Sequence, residues 1–312
     1  MSQQSPGTAG SPNALRVSAL WRYPVKSMIG EPLELARLDP DGVRGDRVWA
    51  VRDEKGDFIA DARRNPVLLG LRPRYLRPVS AADPVPPVEI TLPDGRVVRS
   101  TDADVHHELG RVLGRPAALR SRRPASDEAY YRRLPPEDGD WVRFLEELFG
   151  VDSGAEVPDL NLFPDALWTN QTMPGTHHDA FPLHVLTDRS LESLRKLSPG
   201  SDVDVRRFRP NVFISVPDEI EGDFPERAWT GRDLHIGTAV LRIEGECPRC
   251  VMISHPLPDA ELAADRGLLR TVHAKTGHNV GMYASVVSPG VLGVDDTVEV
   301  REPRVEAPDA GE

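Results

Sequence analysis

Long apolar runs are missing from this 312-residue sequence, and cysteine occurs only at Cys247 and Cys250. No apolar run approaches the roughly 20 residues that a membrane-spanning helix needs. Two cysteines without a secretory signal do not form a disulfide framework, which indicates a reducing compartment. The sequence also lacks a glycine-rich phosphate loop and a Ser-His-Asp signature. We therefore expect a soluble cytoplasmic protein with no membrane partner.

Aromatic residues are also scarce, at 6%, while the chain has 30 prolines and 25 glycines. This composition favours many turns and short strands over a helical bundle. The charge is acidic, because 49 Asp and Glu outnumber 38 Lys and Arg and leave a formal net charge of -11. An acidic surface argues against nucleic acid as a partner. We predict a β-rich α+β fold.

The first third of the chain has the periodicity of short strands. Alternating apolar residues predict a strand over 15–23 and a hairpin over 47–59. A clearer hairpin is predicted over 88–98, where Pro-Asp-Gly separates two apolar runs. Helical spacing over 104–114 then ends at a glycine. These elements predict a small barrel with one helix.

The second half of the chain adds further strands and helices. A strand over 181–186 leads to a helix capped by Thr187, and a strand over 212–214 follows. A helix is predicted around 262–269, before two final strands. The predicted division is a disordered tail over 1–14, an N-terminal β-barrel domain over 15–120, a connector over 121–176, a second barrel-like domain over 177–303 and a tail over 304–312.

The connector has a different composition from its flanks and carries one amphipathic helix from Trp141 to Leu148, followed by Gly150. Most ordered connections of this length pack against a neighbouring unit. We therefore expect a structural strap, although a lid over a pocket is the other reading of the same segment.

The two cysteines lie in the stretch Cys247-Pro248-Arg249-Cys250. The preceding residues alternate like a half-buried strand, and we expect Gly245 to end it, so that the cysteines occupy a loop. Residues 251–253 are predicted to form another short strand. A thiolate in such a loop can face a cavity instead of filling a core.

Four interpretations of this pair remain open from the residues alone. A dithiol redox motif requires a helix starting at the first cysteine, which the predicted strand does not provide. A zinc site would recruit His273 and His278 at a spacing longer than that of zinc fingers. Two buried cysteines can simply act as small hydrophobes. A soft metal can instead be held by one thiolate, with Arg249 nearby to favour the anion.

Four stretches in order resemble the molybdenum-cofactor sulfurase C-terminal (MOSC) family with its N-terminal barrel domain. These stretches are Tyr23-Pro24-Val25-Lys26-Ser27, Gly45-Asp46-Arg47-Val48-Trp49, Phe208-Arg209-Pro210-Asn211 and Cys247-Pro248-Arg249-Cys250. Within that family the chain is similar to the mitochondrial amidoxime-reducing components and to bacterial reductases of N-hydroxylated bases. The resemblance implies two β-barrel-like subdomains that enclose a molybdopterin cofactor.

The resemblance also implies roles for individual residues. Cys250, the second cysteine, would be the metal ligand and the catalytic residue. For Cys247 we expect only the structural role of a buried supporting thiol. No contact is assigned to segment 179–182, because its side chains differ from those of the family. The residues expected around the pterin and its phosphate are Lys26, Ser27, Arg47, Arg209, Asn211, Arg249 and Tyr283.

These roles are chemically consistent with the residue types. Thiolate is a soft ligand that suits molybdenum, arginine grips phosphate through a bidentate fork, and lysine acts as a point charge. Considered singly, these arginines and the lysine would more often be surface or carboxylate-paired residues. Their convergence on one cavity is a hypothesis of the sequence.

The resemblance implies a molybdenum-dependent oxidoreductase that reduces N-oxygenated small molecules. The chain has no further cysteines for an iron–sulfur cluster, so electrons would come from a separate donor protein. Two other functions stay open. One is a sulfur or cofactor carrier with a persulfide on Cys250, and the other is a non-catalytic pterin- or phosphate-binding module of a biosynthetic pathway.

Overall fold

A computed structural model describes residues 13–136 and 138–303. The predicted tail over 304–312 and nearly all of the predicted tail over 1–14 lie outside the described residues. The fold is a strand-rich α+β fold in which an N-terminal barrel packs beside a larger curled sheet, as the sequence predicted. Within the described residues, no helix combines the length and apolarity that a membrane crossing requires.

The strands account for most of the regular structure. In chain order they are β1 (Arg16–Arg22), β2 (Glu31–Leu33), β3 (Leu35–Asp39), β4 (Gly42–Val43), β5 (Trp49–Asp53), β6 (Phe58–Ile59), β7 (Arg72–Tyr75), β8 (Val88–Thr91), β9 (Val97–Arg99), β10 (Ala117–Ser121), β11 (Leu183–Thr187), β12 (Val212–Ser215), β13 (Asp233–Ile236), β14 (Ala239–Pro248), β15 (Asn279–Ser288), β16 (Gly290–Gly293) and β17 (Val298–Arg301).

The helices are short and lie between these strands. They are α1 (Val105–Leu113), α2 (Glu128–Tyr131), α3 (Trp141–Phe149), α4 (Ala166–Thr169), α5 (Asp188–Leu197), α6 (Val205–Phe208) and α7 (Arg266–Thr276). Single turns of 3₁₀ helix occur at Pro66–Gly70, Pro225–Trp229, Val251–Ser254 and Pro258–Ala260.

The largest sheet has the strand order β17-β13-β14-β15-β11-β12-β1-β2 and curls into half a barrel. Its neighbours pair antiparallel except β11 and β12, which run parallel with α5 as part of their connection. Strand β14 buries alternate residues, as a strand with one covered face does, whereas β11 is buried along its whole length because both of its faces are covered. The hydrophobic core of this sheet includes Val17, Val185, Ile214, Leu241 and Met282.

The N-terminal barrel has its own core beneath two three-stranded sheets, β10-β5-β6 and β7-β8-β9, and helix α1. The first strands of the chain do not stay with it. Strands β1 and β2 extend the large sheet, and β3 pairs with β16 near the other end of the described chain. The division into domains at 120 and 177 therefore stays a prediction, and β1 to β4 tie the two halves together.

Several local predictions are confirmed. The hairpins β5–β6 and β8–β9 form where turn residues separate apolar runs. Helix α1 ends at Gly114, whose φ of 71° is the left-handed conformation that glycine adopts without strain. The hydroxyl of Thr187 accepts the backbone N–H of Ser190 and so caps α5.

Three predictions near the cysteines are wrong. Strand β14 does not end at Gly245 but continues to Pro248, because register shifts against β15 absorb the irregularity. Residues 251–253 belong to the 3₁₀ turn Val251–Ser254, since a short apolar run has no periodicity that separates strand from helix. The helix predicted around 262–269 begins later, at Arg266, where the side chain of Asp265 caps it by accepting the N–H of Leu268.

Candidate functional site

One cavity of about 290 Å³ brings together the residues that the sequence predicted as a site. It lies where the N-terminal barrel, the large sheet and the connector meet. All eight predicted residues line it: Lys26, Ser27, Arg47, Arg209, Asn211, Arg249, Cys250 and Tyr283. These residues are up to 257 positions apart in sequence, from 26 to 283. The packing of the N-terminal barrel against the large sheet brings them together.

The two cysteines differ in their surroundings. Neither is in a disulfide, and Cys247 is buried while Cys250 is partly exposed at the start of the 3₁₀ turn Val251–Ser254. Burial raises the pKa of the Cys250 thiol, and Arg63, the backbone N–H of Met252 and Arg249 act against that rise. Cys250 is therefore the cysteine whose sulfur is available to a ligand.

The guanidinium of Arg249 is hydrogen-bonded to the buried cysteine, Cys247. Its Nη1 donates to Sγ of Cys247 at 3.0 Å, and its Nη2 donates to the carbonyl of Phe208 at 2.8 Å. Burial lowers the pKa of Arg249, but the thiols of Cys247 and Cys250 more than offset this, so the net shift is upward. Among the described groups its buried Nε has no hydrogen-bond partner. Arg249 thus holds the loop in place and keeps one donor unused.

Arg47 and Arg209 lie over the same ring. Their guanidinium carbons are 4.8 Å and 4.1 Å from the ring centroid of Tyr23. Arg47 also forms an ion pair with Asp46. Arg209 donates from Nη1 to the carbonyl of Met28 at 2.6 Å, but its buried Nη2 has no partner among the described groups. Burial lowers the pKa of Arg209 to about 10, because a cation without a counterion is poorly solvated there.

The backbone is strained at three of the predicted residues. Ser27, Arg47 and Arg209 have φ angles of 65°, 48° and 55°, in the left-handed region that residues with a Cβ rarely adopt. Such strain costs on the order of 1–3 kcal/mol per residue and gathers at ligand sites. Its presence at three positions of one cavity indicates a preorganised binding site.

Lys26 is almost fully buried, at 3% exposure. Its Nζ donates to the carbonyl of His177 at 2.9 Å and to Oδ1 of Asp179 at 2.7 Å. Burial lowers the pKa of Lys26, and the Asp179 carboxylate opposes that shift. Ser27 beside it accepts the N–H of Ala62 through its hydroxyl oxygen at 3.0 Å. These bonds fix both side chains at the cavity wall.

Asn211 has a structural role as well as a place in the cavity. Its Oδ1 accepts the N–H of His184 and its Nδ2 donates to the carbonyl of Trp21, each at 3.2 Å. The side chain therefore bridges the backbones of β1 and β11. One amide hydrogen remains for a ligand.

Tyr283 is packed between aromatic rings. Its ring centroid is 5.0 Å from that of Phe181 and 6.0 Å from that of Phe163. Burial raises its pKa, and the neighbouring Cys247, to which it is hydrogen-bonded, raises it further. Tyr283 thus stays neutral beside Cys247, with the connector residue Phe163 packed against its ring.

The cavity is strongly cationic in an acidic protein. Six permanent or near-permanent cations line it: Lys26, Arg47, Arg63, Arg133, Arg209 and Arg249. The carboxylates that pair with them are those of Asp46, Asp61 and Asp179. Six cations and three carboxylates leave a net charge of about +3. The cavity therefore attracts an anion.

Arg63 and Arg133 also line the cavity, although the sequence did not indicate them as site residues. Arg63 donates to Oδ2 of Asp61 at 2.7 Å, lies 3.5 Å from Oδ1 of Asp179, and is the cation with the largest effect on the Cys250 thiol. No local motif marks either arginine. The segment at 179–182, to which no contact was assigned, also contributes Asp179 and Phe181 to the cavity.

The histidines do not form a metal site. His177, His178 and His184 are buried, and each ring bonds a backbone carbonyl. Burial lowers the pKa of His177 and of His184 to about 3, so both are neutral. His273 and His278 stack on each other at 4.6 Å between ring centroids. Over residues 13–136 and 138–303, no group of three or more His, Cys, Asp or Glu is arranged to hold a metal ion.

The connector forms the apolar side of the cavity. Its helix α3 and the segment after it contribute Trp141, Phe144, Leu148, Phe163 and Trp168 to the lining. The cavity therefore has a cationic half from the two barrels and an apolar half from the connector. The expectation of a structural strap was incomplete, because this segment both packs on its neighbours and lines the cavity.

Two family models match this chain. The MOSC N-terminal beta barrel domain matches residues 14–103, and the MOSC domain matches residues 174–299. The matched stretches include all eight predicted site residues. The unmatched interval between them includes helix α3.

Curated relatives match over most of the chain. Mitochondrial amidoxime reducing component 2 from Homo sapiens is 26% identical over 298 residues, which cover 90% of this chain and 82% of the relative. Mitochondrial amidoxime-reducing component 1 from Homo sapiens is 24% identical with the same coverage.

Among solved structures, the YUAD protein from Bacillus subtilis aligns over 93% of this chain and 97% of its own, at 10% identity and a TM-score of 0.42. The two family matches show that this chain belongs to the MOSC family, with a MOSC N-terminal beta barrel domain followed by a MOSC domain, and it is similar to the mitochondrial amidoxime reducing components.

Proposed function

We propose that this protein is a molybdenum-cofactor-dependent oxidoreductase that reduces N-oxygenated small molecules with electrons from a separate donor protein. The observation that carries the proposal is a partly exposed thiol, Cys250, at the edge of a cavity with an excess of buried cations. The curated relatives are named for amidoxime reduction, which agrees with it. Both cysteines are free, which supports the cytoplasm as the compartment.

The residues present fit a phosphorylated metal–pterin group. Thiolate is a soft ligand for a metal that also binds a dithiolene. Two buried guanidinium atoms, Nη2 of Arg209 and Nε of Arg249, have no partner among the described groups and are available to acceptors of a ligand. Burying an unpaired donor is costly, so a bound anion would repay that cost. When bound, the molybdenum cofactor would supply the two-electron redox chemistry.

The protein side chains have separate tasks in this proposal. Cys250 holds the metal as its thiolate, while Arg47, Arg209 and Lys26 hold the phosphate by charge. Ser27, Asn211, Arg249 and Tyr283 orient the pterin. The overall reaction breaks the N–O bond of a hydroxylamine or amidoxime, consumes two electrons and two protons, and releases the amine or amidine and water.

The test is elemental analysis of the purified native protein, followed by turnover. We expect molybdenum in proportion to the chain, and reduction of an aromatic hydroxylamine to the amine by dithionite-reduced protein. Cyanide-labile sulfur on Cys250 without molybdenum would show a sulfur carrier instead. Bound pterin or phosphate without any reduction would show a non-catalytic binding module.

A further inference from the structure

Helix α3 of the connector directs its apolar face at the cavity. Trp141, Phe144, Leu145, Leu148 and Phe149 lie at helical spacing on one face, and all five line the cavity. An amphipathic helix ordinarily buries such a face in a core. Here only Phe149 of the five is buried, and the hydrophobic clusters of the described chain do not include the other four. The apolar surface of α3 is thus left available to a ligand.

The position of α3 is fixed relative to the cysteine. Helix α3 ends at Gly150, where an added Cβ would lie 3.2 Å from Cγ2 of Val251, the residue after Cys250. Gly150 has a φ of 67°, which suits glycine at this close approach. The buried carboxylate of Glu146 accepts the N–H of Gly154 at 2.6 Å and holds the following loop to the helix. The C-terminal end of the apolar face therefore lies beside the turn that begins at Cys250.

The rest of the connector packs on the strands of the site. Leu162 lies over Gly245 of β14, where an added Cβ would be 2.8 Å from Cδ2 of the leucine. Phe163 contacts Tyr283 of β15 edge to face. The connector therefore packs through Leu162 and Phe163 on β14 and β15, the two strands that lead to Cys250 and carry Tyr283.

Phe144 and Leu148 line a second cavity as well as the first. A second cavity of about 530 Å³ adjoins the first and shares Lys26, Arg63, Arg133, Phe144, Leu148 and Gln171 with it. The guanidinium carbons of Arg64 and Arg133 lie 5.4 Å and 5.6 Å from the ring centroid of Phe144. The apolar face thus continues beyond the thiol into a further space that a ligand can occupy.

We propose that Trp141, Phe144 and Leu148 bind the apolar body of the substrate, so that the preferred substrates are N-oxygenated compounds with an aromatic or bulky alkyl substituent. This inference rests on the proposed reductase function. The cationic half of the cavity suits the anionic cofactor, which leaves the apolar half for the substrate. Burying an apolar group against these side chains favours such substrates by the area removed from water.

The experiment compares benzamidoxime with acetamidoxime, which carry the same head group on a phenyl ring or on a methyl group. The purified holoprotein is assayed for kcat/KM with each compound under dithionite. Binding is measured separately without reductant, from the quenching of tryptophan fluorescence. The variants are Leu148→Ala and, as the matched control on the same helix, Val142→Ala, whose side chain is 66% exposed and does not line the cavity.

We expect the wild type to prefer benzamidoxime in both kcat/KM and binding. Leu148→Ala should lower kcat/KM for benzamidoxime by about tenfold, the scale of a few lost methylene contacts. The same variant should change acetamidoxime turnover by less than about twofold, as Val142→Ala should with both substrates. Trp141→Ala is the second variant if Leu148→Ala fails to fold, because Trp141 is 42% exposed and contributes less to the folded state.

Equal kcat/KM for the two substrates in the wild type would overturn the inference. An equal fall for both substrates in Leu148→Ala would overturn it as well. If the wild type reduces neither compound, the proposed reductase function fails. The fluorescence measurement then still tests whether the apolar face binds the phenyl compound in preference to the methyl compound. A preference for benzamidoxime that Leu148→Ala removes would support the apolar binding face, and equal binding of both compounds would reject it.

Discussion

Arg249 donates a hydrogen bond from Nη1 to the sulfur of Cys247 across 3.0 Å, so the guanidinium between the two cysteines is bound to the buried one. Cys250 is left partly exposed in a cavity with several other cations. The two thiols are three positions apart, yet they have different partners and different access.

Replacing each cysteine by serine should separate their roles. Cys250→Ser should lose nearly all bound molybdenum and all reductase activity, because serine offers a hard oxygen in place of a soft thiolate. Cys247→Ser should keep most of the metal, since its hydroxyl can still accept from Arg249. Molybdenum per chain, measured by elemental analysis, checks both. Wild-type metal content in Cys250→Ser, or equal losses in the two variants, would contradict the assignment.

Arg209→Met should weaken anion binding without disrupting the fold. Nη2 of Arg209 has no partner among the described groups, and inorganic phosphate would provide one. On protein expressed without the cofactor, phosphate at ten times its dissociation constant should stabilise the wild type by about 1.4 kcal/mol. Thermal unfolding at constant ionic strength, with and without phosphate, is the measurement.

The matched control for this experiment is Arg206→Met. Arg206 lies three positions away, is 51% exposed at the side chain and pairs with Asp204. It should keep the full phosphate-dependent rise in Tm, whereas Arg209→Met should lose most of it. The same rise in all three proteins, or none in the wild type, would show that Arg209 does not bind the anion.

The buried carboxyl of Glu226 should make the stability of the fold depend on pH. Burial raises the pKa of its carboxyl above 4.5, while hydrogen bonds from Ser190 and Thr187 oppose the shift. Because the native state then binds the proton more tightly than the unfolded state, this carboxyl stabilises the fold below its unfolded pKa. That contribution is lost as the pH rises through the native pKa.

Glu226→Gln does not titrate, so its stability relative to the wild type should increase as the pH rises from about 4.5 through the native pKa of Glu226. The difference in the free energy of unfolding between the two proteins, from urea titrations at several pH values, measures this. Glu192→Gln on α5, 55% exposed, controls for the loss of one negative charge. A difference that falls with rising pH would contradict the sign of the pKa shift.

Alanine substitutions at two glycines, four positions apart, should differ in their cost because only one of the glycines packs closely against β11. Gly281 has a φ of 74°, and an added Cβ would lie 2.2 Å from Nε2 of His184 and 2.7 Å from the carbonyl oxygen of Val185. Gly277 has a φ of 63° but open space around it. Gly277→Ala should cost about 1 kcal/mol through backbone strain alone. Gly281→Ala should cost clearly more, about 3 kcal/mol or above. Urea unfolding of both variants checks this, and equal losses would show that the clash relaxes.

Local sequence patterns predicted much of the secondary structure. The hairpins β5–β6 and β8–β9 and the cap at Thr187 follow from turn residues and a capping hydroxyl, which act over a few positions. The end of β14 was predicted wrongly, because the bulges that carry it past Gly245 depend on its pairing with β15. Register against a distant strand has no signal in the local sequence.

The residues of the candidate site also fall into those that the sequence indicated and those that only the structure revealed. The resemblance of four short stretches to the MOSC family pointed to Cys250 and seven further residues, and the structure places all of them at one cavity. Arg63, Arg133 and the apolar face of α3 carried no motif. Their membership depends on how the connector packs over the sheet, which is a long-range property.

The sequence by itself determined which side chains have the chemistry for a soft metal and an anion, and which short segments form strands, turns and helix ends. Those outcomes depend on residue type and on contacts between near neighbours. Only the tertiary structure decided that like charges from 26, 47, 209 and 249 meet in one cavity, and that an apolar helix faces them. Such an arrangement repels itself electrostatically, and the buried cores and the pairing of distant strands supply the free energy that maintains it.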